Sequence, residues 1–239
     1  MKPDEPLLRV RELHAHYGKS HVLRGVSLDL RAKEVVALIG RNGSGRSTTL
    51  KAIMGLLPPS SGAVELQGKS VAGSRPYEIS RAGIAYVPEE RDVFANLTVD
   101  ENLRMGEQPG TGQSYAWTFD QMFAYFPRLK ERRNTLAGSL SGGEQQMLTI
   151  CRSLLGNPKI MLIDEPTEGL APKIVAAVAD CIRDIHQKGV SVILVEQKLA
   201  IALKVSTRVL VMGQGRIVYE GTPRDVADND QLLADWLAV

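Results

Sequence analysis

One nine-residue segment, Gly40-Arg41-Asn42-Gly43-Ser44-Gly45-Arg46-Ser47-Thr48, restricts the fold of this chain more than anything else in its sequence. It follows the all-apolar run Val35–Ile39 and opens a helical stretch expected over Arg46–Leu57, which Pro58-Pro59 would stop. A short continuous apolar run reads as a strand buried on both faces. Glycines at 40, 43 and 45 let consecutive backbone N–H groups turn inward and cradle phosphate oxygens, and the new helix adds its positive end. Ser47 would place its hydroxyl on a Mg2+ bridging the outer phosphates. The phosphate-loop pattern has Lys where this chain has Arg46. Lysine is a compact point charge, whereas guanidinium is broad, planar and forked, so the charge is kept but the pose need not be. On this motif alone, a glycine-rich turn with no ligand stays open.

The rest of the chain supplies the scaffold such a loop needs. Leu8, Val10 and Leu13 precede a Tyr17-Gly18 turn, and Leu23, Val26, Leu28 and Leu30 follow it, reading as strands. Val64–Leu66 and Ile84–Val87 are further strands, separated by a short Pro76–Arg81 helix. From Thr98 to Gly156 the pattern turns helical, with helices over Asp100–Met105, Tyr115–Arg132 and Ser141–Leu155 and a Gly/Pro/Gln-rich connector at Gln108–Gln113. Alternation then resumes through Ile160–Ile163, Pro172–Gln187, Ser191–Val195, Leu199–Lys204 and Arg208–Val211, and Gly213-Gln214-Gly215 leads into a hairpin strand at Ile217–Tyr219. Buried strands alternating with helices predict an α/β fold whose sheet is mainly parallel, with an antiparallel β part and a helical insertion.

Two further segments carry chemistry. Leu140-Ser141-Gly142-Gly143-Glu144-Gln145-Gln146 opens a helix, with Ser141 as cap and Glu144 as its capping-box partner. The two glycines also bare N–H groups suited to an anion. Ile160-Met161-Leu162-Ile163-Asp164-Glu165 is an apolar strand ending in two carboxylates. Asp164 at its C-terminal end can hold Mg2+ through the ion's water shell, and Glu165 can polarise an attacking water as general base.

In this order the segments resemble the motifs of ABC transporter ATP-binding subunits, over residues 7 to 225. The resemblance implies a P-loop NTPase core, an antiparallel β subdomain and an α-helical subdomain carrying the signature motif. It implies a single domain over 7–239, with 7–97 and 157–239 forming core and β part and 98–156 the helical subdomain. ATP and Mg2+ are the implied cofactors. Tyr17 looks like the aromatic that stacks on adenine; residues 40–48 look like the phosphate cradle; Ser141, Gly142 and Gly143 would contact the γ-phosphate held by a facing subunit. Glu168-Gly169-Leu170-Ala171-Pro172 resembles the loop that speaks across the dimer. Two further positions depart from the general family pattern. Glu89, in Val87-Pro88-Glu89-Glu90-Arg91, stands where a glutamine usually offers itself to Mg2+ and the permease. Gln197, in Val195-Glu196-Gln197-Lys198, stands where the switch histidine is usual; it can donate to a γ-phosphate but cannot carry a proton as histidine can. His14, His16, His21 and His186 lie elsewhere and are expected at the surface or in turns. These variants together are similar to the ATPase subunits of branched-chain amino-acid uptake systems. That branch implies two integral-membrane permease subunits, a second ATPase subunit in a homo- or heterodimer, an extracytoplasmic solute-binding protein, and residence at the cytoplasmic face of the inner membrane.

Bulk properties fit this expectation. A net charge of +2 is too small to argue for nucleic acid or an anionic membrane surface, so no nucleic-acid partner is expected, and apolar runs such as Val192–Val195 are far shorter than the ~20 residues a bilayer span needs. Two other readings remain: a regulatory nucleotide-binding subunit with weak hydrolysis, to which Arg46, Glu89 and Gln197 would point, and a soluble ABC-type ATPase outside transport. In the inserted region Phe119, Phe123 and Phe126 at helical spacing predict local core, whereas an exposed Trp117 or Tyr115 would favour contact with a permease.

Overall fold

The computed structural model describes residues 5–107 and 117–237. Strands β1 (Leu8–Tyr17) and β2 (Ser20–Leu30) form an antiparallel hairpin closed at Gly18-Lys19. With β4 (Ser61–Leu66) and β5 (Lys69–Ser70) they make a four-stranded antiparallel sheet in the order β2-β1-β4-β5. The second sheet has six strands in the order β10-β9-β3-β8-β7-β6. Five of these run parallel: β3 (Val35–Gly40), β6 (Ile84–Val87), β7 (Ile160–Asp164), β8 (Ser191–Val195) and β9 (Arg208–Gly213). Antiparallel β10 (Arg216–Gly221) closes one edge as the hairpin expected from Gly213-Gln214-Gly215. The mainly parallel sheet with an antiparallel part, read from the sequence, is the observed architecture.

Residue alternation explains how one sheet serves two cores. Along β7, Met161 and Ile163 face a core shared with α6 (Gly142–Leu155) and α7 (Pro172–Gln187), while Ile160 and Leu162 face the other side. That other side packs on α1 (Arg46–Ile53) and on the inward residues of the small sheet, among them Leu13, Leu23 and Val26. A third cluster joins Ala37, Ile39, Val209 and Val211 to the C-terminal end of the chain. Cys151 on α6 and Cys181 on α7 are buried in the first core as free thiols. Burial pushes the Cys181 thiol up to about 12 and the Cys151 thiol well above its ordinary value.

Helix α2 (Pro76–Arg81) precedes β6, and the inserted region starts with α3 (Val99–Arg104), whose Thr98 and Glu101 complete a capping box. Where one helix was expected over 115–132, the described residues form two, α4 (Phe119–Tyr125) and α5 (Pro127–Glu131). Phe126 separates them at φ −131, ψ 77, because a residue preceding proline is pushed out of the helical region. Tyr115 and the 108–113 connector lie outside the described residues. Trp117 is buried and joins Phe123 and Phe126 in the first core, with Phe119 packed against it, so these aromatics are local core. Helix α1 also ends earlier than expected, at Ile53, because Gly55 takes a left-handed conformation (φ 70) where an added Cβ would lie 2.6 Å from the Ser74 carbonyl oxygen. His14, His16 and His21 are strand residues of β1 and β2 rather than turn residues. The His16 and His21 rings stack at 4.2 Å, and His14 Nδ1 lies 3.1 Å from His21 Nε2.

The large sheet is tied at one edge by charge. Arg208 on β9 donates to Glu34 through Nε at 2.8 Å and Nη2 at 3.0 Å, and also reaches Glu220 at 2.7 Å. Burial pushes the Glu34 carboxyl up, but the Arg208 guanidinium and the Arg31 N–H outweigh it and hold the group below its usual 4.5. Arg208→Ala strands this half-enclosed carboxylate, so urea unfolding at neutral pH should show a loss of about 3 kcal/mol. A depressed folded pKa contributes stability above the unfolded value and loses it as pH falls through the folded one. Without Arg208, burial raises the Glu34 carboxyl in the variant, so the gap between parent and variant should begin to narrow above pH 4.5 and keep closing as the parent's own carboxylate protonates below it.

Candidate active site

The glycine-rich segment lies where the parallel strands end. Gly40 closes β3, and a Cβ there would lie 2.2 Å from the Met212 carbonyl oxygen on β9. Gly45, the cap of α1, sits at φ 106 with Leu23 of the β hairpin against it. Only glycine allows the chain to turn this tightly beside two strands. The Ser44 hydroxyl is buried beneath Gly40 and has no hydrogen-bond partner, an orphaned donor of the kind a phosphate oxygen would satisfy. Arg41, Asn42 and Gly43 form the exposed outer lip, while Ser47 and Thr48 sit on the first turn of α1.

Two carboxylates end β7 beside this loop. Ser47 Oγ donates to Asp164 Oδ1 at 2.8 Å, and Tyr86 Oη donates to Asp164 Oδ2 at 3.1 Å. Burial raises the Asp164 pKa although both hydroxyls work against it. The next residue, Glu165, is 6% exposed and has φ 44, a left-handed backbone that is uncommon outside glycine. Its N–H is bound by the Val195 carbonyl at 2.9 Å, which holds the turn. Burial also raises the Glu165 pKa, opposed by Arg46 and assisted by the charge of Glu89.

Arg46 settles on Glu165. Its side chain is 4% exposed, and Nη2 donates to Glu165 Oε1 at 2.9 Å and to Asn42 Oδ1 at 3.2 Å. Nη1 donates to the Glu196 carbonyl oxygen at 3.2 Å. The forked group thus spans three acceptors, which a lysine ammonium on its thinner stem would not do in the same plane. Gln197 Nε2 donates to the other Glu165 oxygen at 2.7 Å. Residues 119 and 151 positions apart in sequence from Arg46, namely Glu165 and Gln197, thereby meet around one carboxylate.

Other expected site residues stand around this knot rather than in it. Glu89 is exposed in the loop after β6, where partial desolvation and the charge of Asp164 raise its pKa. Tyr17 is half exposed at the end of β1, on the hairpin whose Leu23 touches Gly45. Ser141 caps α6 and exchanges hydrogen bonds with Glu144, with Gly142 and Gly143 in the first turn. Among the described residues no hydrogen bond or ion pair joins residues 141–143 to residues 40–48. Arg91, to which the sequence assigned no role, donates to the Glu168 carbonyl at 3.2 Å and packs on Gly142, where a Cβ would lie 2.0 Å from Nη1.

The fold and this order of loops have many counterparts. A family profile described as ABC transporter matches residues 23–168. The chain belongs to the ABC transporter ATP-binding family. This ABC ATPase is 41% identical, over 97% of its length and 99% of the relative's, to the high-affinity branched-chain amino acid transport ATP-binding protein BraG of Pseudomonas aeruginosa. It is 34% identical, over 94% and 96%, to the probable branched-chain amino acid transport ATP-binding protein LivF of Archaeoglobus fulgidus. Among solved structures, a nucleotide-free ATP-binding cassette from an ABC transporter superposes with a TM-score of 0.81 at 27% identity, over 96% of this chain and 98% of that one. An ADP-bound cassette matches equally well, so the fold is one that binds nucleotide. No helix among the described residues is long and apolar enough to cross a membrane.

Proposed function

We propose that this ABC ATPase powers an importer of branched-chain amino acids or a related small polar solute. It would work as a peripheral subunit at the cytoplasmic face of the inner membrane, beside two permease subunits, a second ATPase subunit and an extracytoplasmic solute-binding protein. The observation that carries the hydrolytic part is the convergence of Ser47, Asp164, Glu165, Gln197 and Arg46 on one polar knot at the mouth of the glycine loop. The solute class rests on the likeness to BraG and LivF. The whole of 7–239 acts as one domain, with 98–156 as its helical subdomain.

In this reading the N–H groups of Gly40–Thr48 and the Ser44 hydroxyl bind the phosphates, and Tyr17 stacks on adenine. Mg2+ supplies neutralisation of the outer phosphate charge when bound. The hard oxygens of Ser47 and Asp164, 2.8 Å apart, fit it, with Glu89 at the edge of the site. Glu165 takes a proton from the water that attacks the γ-phosphorus, as the bond to the β–γ bridging oxygen breaks. Gln197 orients that carboxylate and donates to the departing phosphate. Ser141, Gly142 and Gly143 approach the γ-phosphate of the facing subunit's nucleotide, because they stand apart from their own loop. Closure around ATP and opening after hydrolysis would drive the permeases by differential affinity. Exposed Phe94 and Met105 rim a mixed groove, lined also by Tyr86, Arg152 and Ser153, that would receive a permease segment next to Asp164's own partner.

The test is reconstitution with the cognate permeases. ATP-driven uptake of labelled leucine, isoleucine or valine into vesicles, lost without this chain, is the expected result. Uptake that persists without it, or a failure to copurify with any integral membrane protein, would overturn the transport reading.

A further inference from the structure

We propose that Glu196 is a positioning residue for hydrolysis: its buried carboxylate fixes the switch loop to the loop after Glu165 and so aims Gln197 at the general base. The inference rests on the hydrolytic reading above and adds to it a residue that does not touch the nucleotide.

Glu196 follows the last residue of β8 and is 2% exposed. A carboxylate so placed needs compensation, and it receives it from both loops. Its Oε1 accepts the N–H of Gln197 and the N–H of Lys198, each at 2.9 Å. Two consecutive amides on one oxygen fix the backbone from which the Gln197 side chain departs. Its Oε2 accepts Thr167 Oγ1 at 2.7 Å, and Thr167 lies two residues past Glu165, fully buried. Lys198 Nζ returns to the Thr167 carbonyl at 2.9 Å, closing a ring between the two loops. The Glu196 carbonyl meanwhile accepts Arg46 Nη1. One residue thus touches the phosphate loop, the switch loop and the loop after the base. Gln197 itself is exposed, so its 2.7 Å contact with Glu165 Oε2 depends on the backbone beneath. A shorter or apolar side chain at 196 would release both amides and the Thr167 hydroxyl at once.

The experiment measures steady-state ATP hydrolysis by the full-length chain in its transporter complex. It compares the parent with Glu196→Ala, Glu196→Gln, Gln197→Ala and the double variant Glu196→Ala/Gln197→Ala. Glu196→Ala should lower kcat about 10- to 100-fold with KM for ATP little changed, since displacement of a positioned group acts on the reacting geometry. Glu196→Gln keeps the acceptor for the two amides and should recover most of that loss. In the Gln197→Ala background Glu196→Ala should have almost no further effect, because its action passes through Gln197. A double variant that falls by the full product of the two single losses overturns the positioning role and leaves the hydrolytic reading standing. A KM that rises in step with the fall in kcat/KM also overturns it, as lost nucleotide binding. Unchanged turnover in Gln197→Ala would sink both the positioning role and the part given to Gln197 in hydrolysis.

Discussion

Glu165→Gln should lower ATP turnover by about a thousandfold while ATP stays bound, as expected when a general base is removed and its shape is kept. The carboxamide retains an oxygen to accept Arg46 Nη2, so the buried guanidinium keeps a partner and the fold is little disturbed. On the other side Gln197 Nε2 now faces an amide group, and it must turn to present its own oxygen instead. What is lost is a proton acceptor. Phosphate release by the reconstituted complex, together with retention of labelled ATP on a filter, separates this from a binding defect. Unchanged turnover would remove Glu165 from the mechanism.

Arg46→Ala should have the second largest effect, and in two readouts at once. Hydrolysis should fall at least a hundredfold, because the cation that would move from Glu165 onto the developing phosphate charge is gone. The ligand-free protein should also lose about 3 kcal/mol, since Glu165 is left buried without its counter-charge. For a chain of this size that corresponds to a fall in Tm of about 6–12 °C. Arg46→Lys separates the two effects. Lysine can keep one contact to Glu165 but not the simultaneous ties to Asn42 and the Glu196 carbonyl that the fork makes. A less firmly held cation moves onto incoming phosphates more readily, so Arg46→Lys should hydrolyse ATP several-fold faster than the parent with a smaller drop in Tm. Slower hydrolysis by Arg46→Lys would show that the guanidinium is required for its own geometry.

Much of this site could be read from residue order because its parts are backbone devices. Gly40, Gly43 and Gly45 announce a loop that only small residues can build, and Ser141 with Glu144 announces a helix start whatever the tertiary surroundings. Asp164-Glu165 after four apolar residues places two carboxylates at a strand end for the same local reason. Long-range pairing was not legible. That Arg46 would rest on Glu165, 119 positions later, depends on the β3–β8–β7 register and on the length of a guanidinium. Glu196 looked like one letter of a motif because its work is done by side-chain oxygens on a loop whose shape it makes itself. The break at Phe126 was available from Pro127 and was masked by the aromatic periodicity on either side. Beyond α8 (Leu199–Val205), the helix α9 (Pro223–Ala227) carried a signal in Thr222 and Asp225, a capping box that the preceding hairpin overshadowed.

The two thiols sealed between α6 and α7 have a practical consequence for following this machine at work. Neither forms an appreciable thiolate near neutrality, and the sequence holds no others, so maleimide dyes and spin labels find no native target. A single cysteine substituted at the exposed Glu168 can therefore report the movement of that loop, without first stripping the protein of its own sulfur.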